Sequence, residues 1–220
     1  SGIWGSGSNG TALGELAAAS PRYAAPIIIE QNENLEQAHL IIAVPFIAAA
    51  DVKRYPADLL ANIIGGGTSS RLWQKIREER GLAYSVGAST IMYQDCGLFS
   101  VFAGTSPDQV SEVVDITIAE LKEVVQNGVT QNELELVKQQ TRASILLGLE
   151  DSAGRAATLA QSEMLHGRQI PVEETLANVD AVTVDDVQSL ANEYFKTETV
   201  AFAALGDLKE LKIGRSRLAI

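Results

Sequence analysis

Apolar, β-branched residues run almost unbroken from Pro26 to Glu30 and from Gln37 to Phe46, which predicts two buried strands separated by the polar turn Asn32-Glu33-Asn34. The period then changes. Tyr55, Leu59, Leu60, Ile63 and Ile64 fall at helical core spacing, Pro56 is tolerated in the first turn, and Gly65-Gly66-Gly67 ends that helix. Thr68 or Ser69 is placed to cap a second helix that reaches about Arg80, with Gly81 as its stop signal. Leu82 to Tyr93 and Gly97 to Gly104 read as two further strands joined near Gln94-Asp95, a hairpin.

The rest is mostly helical. Ser106-Pro107-Asp108-Gln109 offers an N-cap, an N1 proline and a capping-box glutamine for a helix to Gly128, and Thr130 with Glu133 forms a second capping box ahead of Leu134, Val137, Ile145 and Leu146. Gly148 and the stretch Asp151 to Gly154 predict a break. Ala156 to Leu165, ending at His166-Gly167, then Glu173 to Val179 and Thr183 to Tyr194 read as helices, and Thr199 to Leu205 as a closing strand. Grouped hairpins and paired helices predict an α+β fold, a largely antiparallel sheet with paired helices packed on one face. That single domain is expected over residues 26–220. Residues 1–25 are rich in Gly, Ser and Ala, carry only Glu15 and Arg22 as charges, and read as a linker or leader. The chain does not begin with Met, and a missing upstream portion is the preferred explanation.

Charge and residue inventory exclude several functions. Seventeen Lys and Arg stand against 28 Asp and Glu, a net charge of -11, which opposes the counterion release that drives nucleic-acid binding. A single Cys cannot make an intrachain disulfide, and uncharged runs such as the 14 residues Gln37 to Ala50 are too short to span a bilayer. The only histidines, His39 and His166, lie 127 positions apart, so the chain lacks the closely spaced ligands of a zinc site. His39 is expected in a strand, and His166 at a helix C-terminus where a cation is favoured. Gly65 to Ser70 could cradle an anion, but it lacks the Lys of a P-loop and does not follow a strand directly. No G-x-S-x-G accompanies Ser69 or Ser70, and Cys96 at the hairpin turn reads as a bystander thiol.

One segment carries more. Leu60 to Thr105 contains GGGTSSRL at Gly65 to Leu72, IREERGLAY at Ile76 to Tyr84, and GLF at Gly97 to Phe99. It resembles the C-terminal homologous domain of pitrilysin-family zinc peptidases, the inverzincin group that includes the mitochondrial processing peptidase subunits, and the likeness runs from about Gln37 to Gly206. The resemblance implies an α+β unit that faces a second such unit like half of a clamshell. The other unit would carry H-x-x-E-H, the zinc and the general base. This chain has no such motif, so the resemblance implies the half that completes the active site without holding metal, with zinc expected in the partner domain or subunit. It also implies roles for Arg77 and Tyr84, which match the Arg and the Tyr seven residues later by which C-terminal halves of active members stabilise the substrate carbonyl.

Local chemistry is compatible with that. Arg77 falls in the last turn of its helix, Gly81 turns the chain, and Tyr84 opens the next strand, so two hydrogen-bond donors could converge at one corner and hold a developing oxyanion or the substrate backbone. Plainer roles are also open: Arg77 could lie on the indole of Trp73, Tyr84 could be ordinary strand packing, and Arg71 is expected to tie neighbouring elements together. The expected function is the non-metal-binding half of a zinc endopeptidase, closing a chamber around an extended peptide as a homo- or heterodimer or within a longer chain. Two rivals are a non-proteolytic structural subunit of the same family and an anion-binding module at Gly65 to Ser70.

Overall fold

The computed structural model describes residues 23–220. The linker or leader expected over residues 1–25 lies, as far as residue 22, outside the described residues. Five strands, β1 (Ile27–Gln31), β2 (Ala38–Phe46), β3 (Ala83–Met92), β4 (Gly97–Thr105) and β5 (Ala201–Gly206), make one sheet in the order β1-β5-β2-β4-β3. Every neighbouring pair is antiparallel except β1 with β5. The largely antiparallel α+β architecture is therefore as expected. The polar turn after β1 does not make a hairpin: it carries the chain past β5, where Asn32 N–H donates to the Gly206 carbonyl at 2.8 Å.

Side chains alternate across each strand, and among the described residues helices cover one face only. Leu40, Ile42, Val44 and Phe46 of β2, Phe99 and Val101 of β4 and Phe202 of β5 are buried with Leu60, Ile63 and Ile64 of α1 (Arg54–Gly65) in a single core. Val113, Val114 and Leu121 of α2 (Val110–Asn127), Leu134 of α3 (Gln131–Gly148) and Val187 and Leu190 of α6 (Val184–Tyr194) belong to the same core. Each such side chain contributes about 1.5 to 3 kcal/mol by leaving water. Phe99 sits between Phe46 and Phe195, with ring centroids 5.9 and 4.9 Å away. Of the remaining helices, α5 (Val172–Ala181) is anchored by Val179, whereas α4 (Ser152–His166) buries none of its 15 residues.

Three local expectations are corrected. Helical turns after the glycine run start at Arg71, not next to Thr68 or Ser69, and Ser70 spends its hydroxyl on the Gly67 carbonyl at 2.6 Å. The stretch Trp73–Glu78 is a π-helix, closed by Glu79 N–H donating to the Gln74 carbonyl at 2.9 Å. Ser106 caps nothing with its side chain; Pro107–Gln109 instead forms a 3₁₀ turn leading into α2, and the Gln109 amide oxygen lies 3.5 Å from Thr105 Oγ1. The box at Thr130 is present in full, with Glu133 accepting from Thr130 N–H at 2.7 Å and Thr130 Oγ1 accepting from Glu133 N–H at 3.2 Å.

Candidate functional site

The corner where the π-helix hands over to β3 is built by three local devices. Gly81, at φ 63°, turns the chain, its N–H donating to the Arg77 carbonyl at 3.1 Å while Leu82 N–H reaches the Ile76 carbonyl at 2.9 Å. A β-bulge between Ala83 and Ser85 then places Tyr84 outside the regular ladder, and its side chain is 77% exposed. Bulges re-aim side chains in this way. Arg77 and Tyr84 do meet: the guanidinium donates to the Tyr84 carbonyl at 2.8 Å and lies 5.2 Å from the centre of the Tyr84 ring. It also lies 4.2 Å from the Trp73 ring, so stacking on the indole and convergence with Tyr84 occur together. Arg77 forms no ion pair among the described residues. A full positive charge and a phenol are thus presented side by side, both able to donate to an oxygen with developing negative charge.

Ion pairs anchor the scaffold of this corner. Arg71 grips both carboxylate oxygens of Glu133, at 2.6 and 3.0 Å, and donates to the Gly128 carbonyl at 3.1 Å, tying the start of the π-helix to the α2–α3 turn. Lys75 pairs with the buried Glu120 of α2, and Arg80 with Glu112 at 2.9 Å. Burial alone would raise the Glu133 carboxyl, but Arg71 and the Thr130 donors outweigh it and hold the group at about 2. A depressed carboxyl adds stability above its unfolded value near 4.5 and loses it as pH falls toward 2. Glu133→Gln is expected to cost about 2 kcal/mol near pH 7, a figure reduced for the pair's partial solvent contact. Urea titrations from pH 7 to pH 3 measure it: the gap between parent and variant must narrow in acid, and a constant gap would contradict the assignment.

The sheet face without helices among the described residues carries two apolar rows, separated by a row that includes Ala43, Ser100 and Ser89. Ile28, Ala203, Ile41, Phe102 and Gly87 are register partners in one row across all five strands, and Pro45, Leu98 and Ile91 form a second row. Ile28 is 52% exposed, Ile41 50% and Phe102 44%. The unbroken apolar runs of β1 and β2, which predict buried strands, are covered on one face only within the described residues. Tyr84 and Ser85, both exposed, border this face.

The other candidates separate. His39 is exposed in β2, as expected for a strand residue, and His166 ends α4. The cation expected to favour that helix end is opposed there: burial first, then the charges of Arg54 and Arg168, hold the imidazole below its usual value. No group of three or more His, Cys, Asp or Glu that could hold a metal ion exists among the described residues, so these side chains do not fit a zinc site. The glycine run is accounted for without an anion. A Cβ on Gly65 would come within 2.2 Å of Ala88 N, so this glycine allows α1 to meet β3, and the Thr68 carbonyl accepts from Gln74. Cys96 is free and half-buried beside the hairpin turn. Glu78, which lies within the IREERGLAY stretch but takes no role from the sequence alone, is a further member of this corner. Its carboxylate accepts the Trp73 indole N–H at 2.9 Å, a five-residue spacing with no signal in a chain read as α-helical.

Comparison with known proteins places the chain in a family. The peptidase M16 inactive domain matches residues 6–141. An uncharacterized zinc protease of Streptomyces coelicolor is 39% identical over 84% of this chain and 40% of its own length, and YmxG of Bacillus subtilis, another uncharacterized zinc protease, is 33% identical over 80% and 43%. The chain thus spans about two fifths of the length of these relatives. Among solved structures, a peptidase M16 inactive domain from Pseudomonas fluorescens superimposes with a TM-score of 0.79 at 22% identity, over 89% of this chain and 47% of that one. A chain of complex III2 from Candida albicans reaches the same TM-score at 18% identity, over 90% and 50%. No helix among the described residues is long and apolar enough to cross a membrane. With more than half its residues matched by that family and the same fold in a solved inactive domain, this chain belongs to the peptidase M16 family as an inactive domain.

Proposed function

We propose that this domain completes the active-site chamber of a zinc endopeptidase whose metal and general base sit in a separate H-x-x-E-H half, in the same polypeptide or in a partner subunit. The observation that carries this reading is the uncovered apolar sheet face with Arg77 and Tyr84 at its border. Large exposed apolar side chains grouped on one face suit an interaction surface, and a donor pair without an acid partner suits a peptide carbonyl. Helix α4, with no buried residue, offers a second surface for that half. Arg77 and Tyr84 donate to the carbonyl oxygen of an extended peptide as negative charge builds on it, and release it when the charge disperses. The names of the relatives support the protease assignment, and their greater length leaves room for the second half.

The test is hydrolysis of an unfolded peptide by this chain alone, by its H-x-x-E-H half alone and by the two combined, in the presence of zinc. Activity is expected only in the combination. A combination that associates but stays inert would favour the structural-subunit reading. Ile41→Glu, on the uncovered face, is expected to leave the circular dichroism and melting of this domain unchanged while weakening its affinity for the other half at least about tenfold, since it would bury an unpaired charge. Unchanged affinity would show that this face is not the contact.

A further inference from the structure

We infer that Trp73 is a positioning residue for Arg77, and that Glu78 works through it by fixing the indole; this rests on the substrate-facing role proposed for Arg77. An arginine has four rotatable side-chain bonds, and an unheld guanidinium must give up that freedom each time it grips a substrate. Here most of it is already given up. The Trp73 ring supports the guanidinium from one side at 4.2 Å, the Tyr84 ring lies 5.2 Å from it, and the bond to the Tyr84 carbonyl at 2.8 Å fixes the fork. The remaining N–H groups are left for a ligand.

The platform is itself held. Trp73 is partly buried against the core, and its indole N–H donates to Glu78 at 2.9 Å. That bond depends on the π-helix. At 3.6 residues per turn, five positions would put residue 78 about 140° round the helix from residue 73. The i→i+5 winding of Trp73–Glu78 brings the two side chains onto one side. The bond also occupies the carboxylate of Glu78, the immediate neighbour of Arg77, and Glu78 forms no ion pair among the described residues. The guanidinium therefore keeps its charge for the substrate. Core filling alone would explain the indole but not its bond to Glu78.

The experiment measures kcat and KM for an extended fluorogenic peptide, with the domain assembled with its zinc-bearing half. Trp73→Leu is expected to lower kcat/KM about tenfold and Trp73→Phe less than about threefold, because a phenyl face still supports a guanidinium. Glu78→Gln, which keeps an acceptor, is expected to stay within about twofold, whereas Glu78→Leu loses about threefold or more as the indole is released. The decisive reading is the double variant: in an Arg77→Ala background, Trp73→Leu should cost nothing further. Equal losses in both backgrounds, or a Glu78→Leu variant with parental kcat/KM, would overturn the inference. If Trp73→Leu fails to fold, Trp73→Phe and Glu78→Leu in the two backgrounds decide the same question. Should Arg77→Ala itself leave kcat/KM intact, the proposed role of Arg77 fails and this inference with it. A large Arg77→Ala loss beside a silent Trp73→Leu would remove this inference alone.

Discussion

Arg77→Ala in the assembled protein is expected to lower kcat/KM for peptide hydrolysis by about 10²- to 10³-fold, the range found when one preorganised oxyanion donor is removed. The loss should fall mainly on kcat, since a donor aimed at developing charge does more for the transition state than for the ground state. Tyr84→Phe removes a hydroxyl while keeping the ring beside the guanidinium, and a loss of at least about tenfold is expected. The two losses should be less than additive, because the side chains are in contact and Arg77 also holds the Tyr84 carbonyl. Tyr84→Phe should melt like the parent, as Tyr84 is largely exposed, and Arg77→Ala should lose no more than about 1 kcal/mol, for its stacking on Trp73 and its bond to the Tyr84 carbonyl. Parental activity in both would reduce the pair to packing and leave the corner without a chemical role.

Gly65→Ala is expected to be strongly destabilising. The added Cβ would stand 2.2 Å from Ala88 N and 2.7 Å from the Gly87 carbonyl carbon, and neither backbone atom can swing aside as a side chain would. Relief requires α1 to move off β3, which costs about 3 kcal/mol or more and lowers the melting temperature by about 10 °C. Gly67→Ala, two residues on, meets nothing within 4 Å and is expected to change stability by less than about 0.5 kcal/mol. Thermal unfolding of the two variants measures the contrast directly. A silent Gly65→Ala would mean that α1 is not held against β3 as described.

That contrast shows what could be read from the letters alone. Three identical glycines look alike in a sequence, where helix stop and turn explain them and an anion cradle matches only weakly; only the approach of α1 to β3 separates Gly65 from Gly67. Elements whose signals are local were legible. β3 and β4 pair as the expected hairpin, and Thr130 with Glu133 caps α3. Elements decided by long-range partners were not: β1 pairs with β5, some 175 residues later, rather than with β2. The winding of Trp73–Glu78 was hidden because its apolar spacing also suits an α-helix. The closeness of Arg77 and Tyr84 was legible from the glycine turn between them. The bulge that exposes Tyr84, and the bond from Trp73 to Glu78, depend on register and winding and had no sequence mark.

The apolar rows across the helix-free side of the sheet bear on how the stability of this domain should be measured. A surface that binds a second half only when folded links the unfolding equilibrium to the concentration of that half. At a hundredfold excess over the dissociation constant, the linkage adds about 2.7 kcal/mol to folding, and each further tenfold adds about 1.4 more. If the proposed second half is a separate subunit, a melting temperature for this domain is a property of a mixture. In that case an unpartnered copy sits at the bottom of that scale, with Ile28, Ile41 and Phe102 still in water, and an imbalance in supply of the two halves would first appear as turnover of the one in surplus.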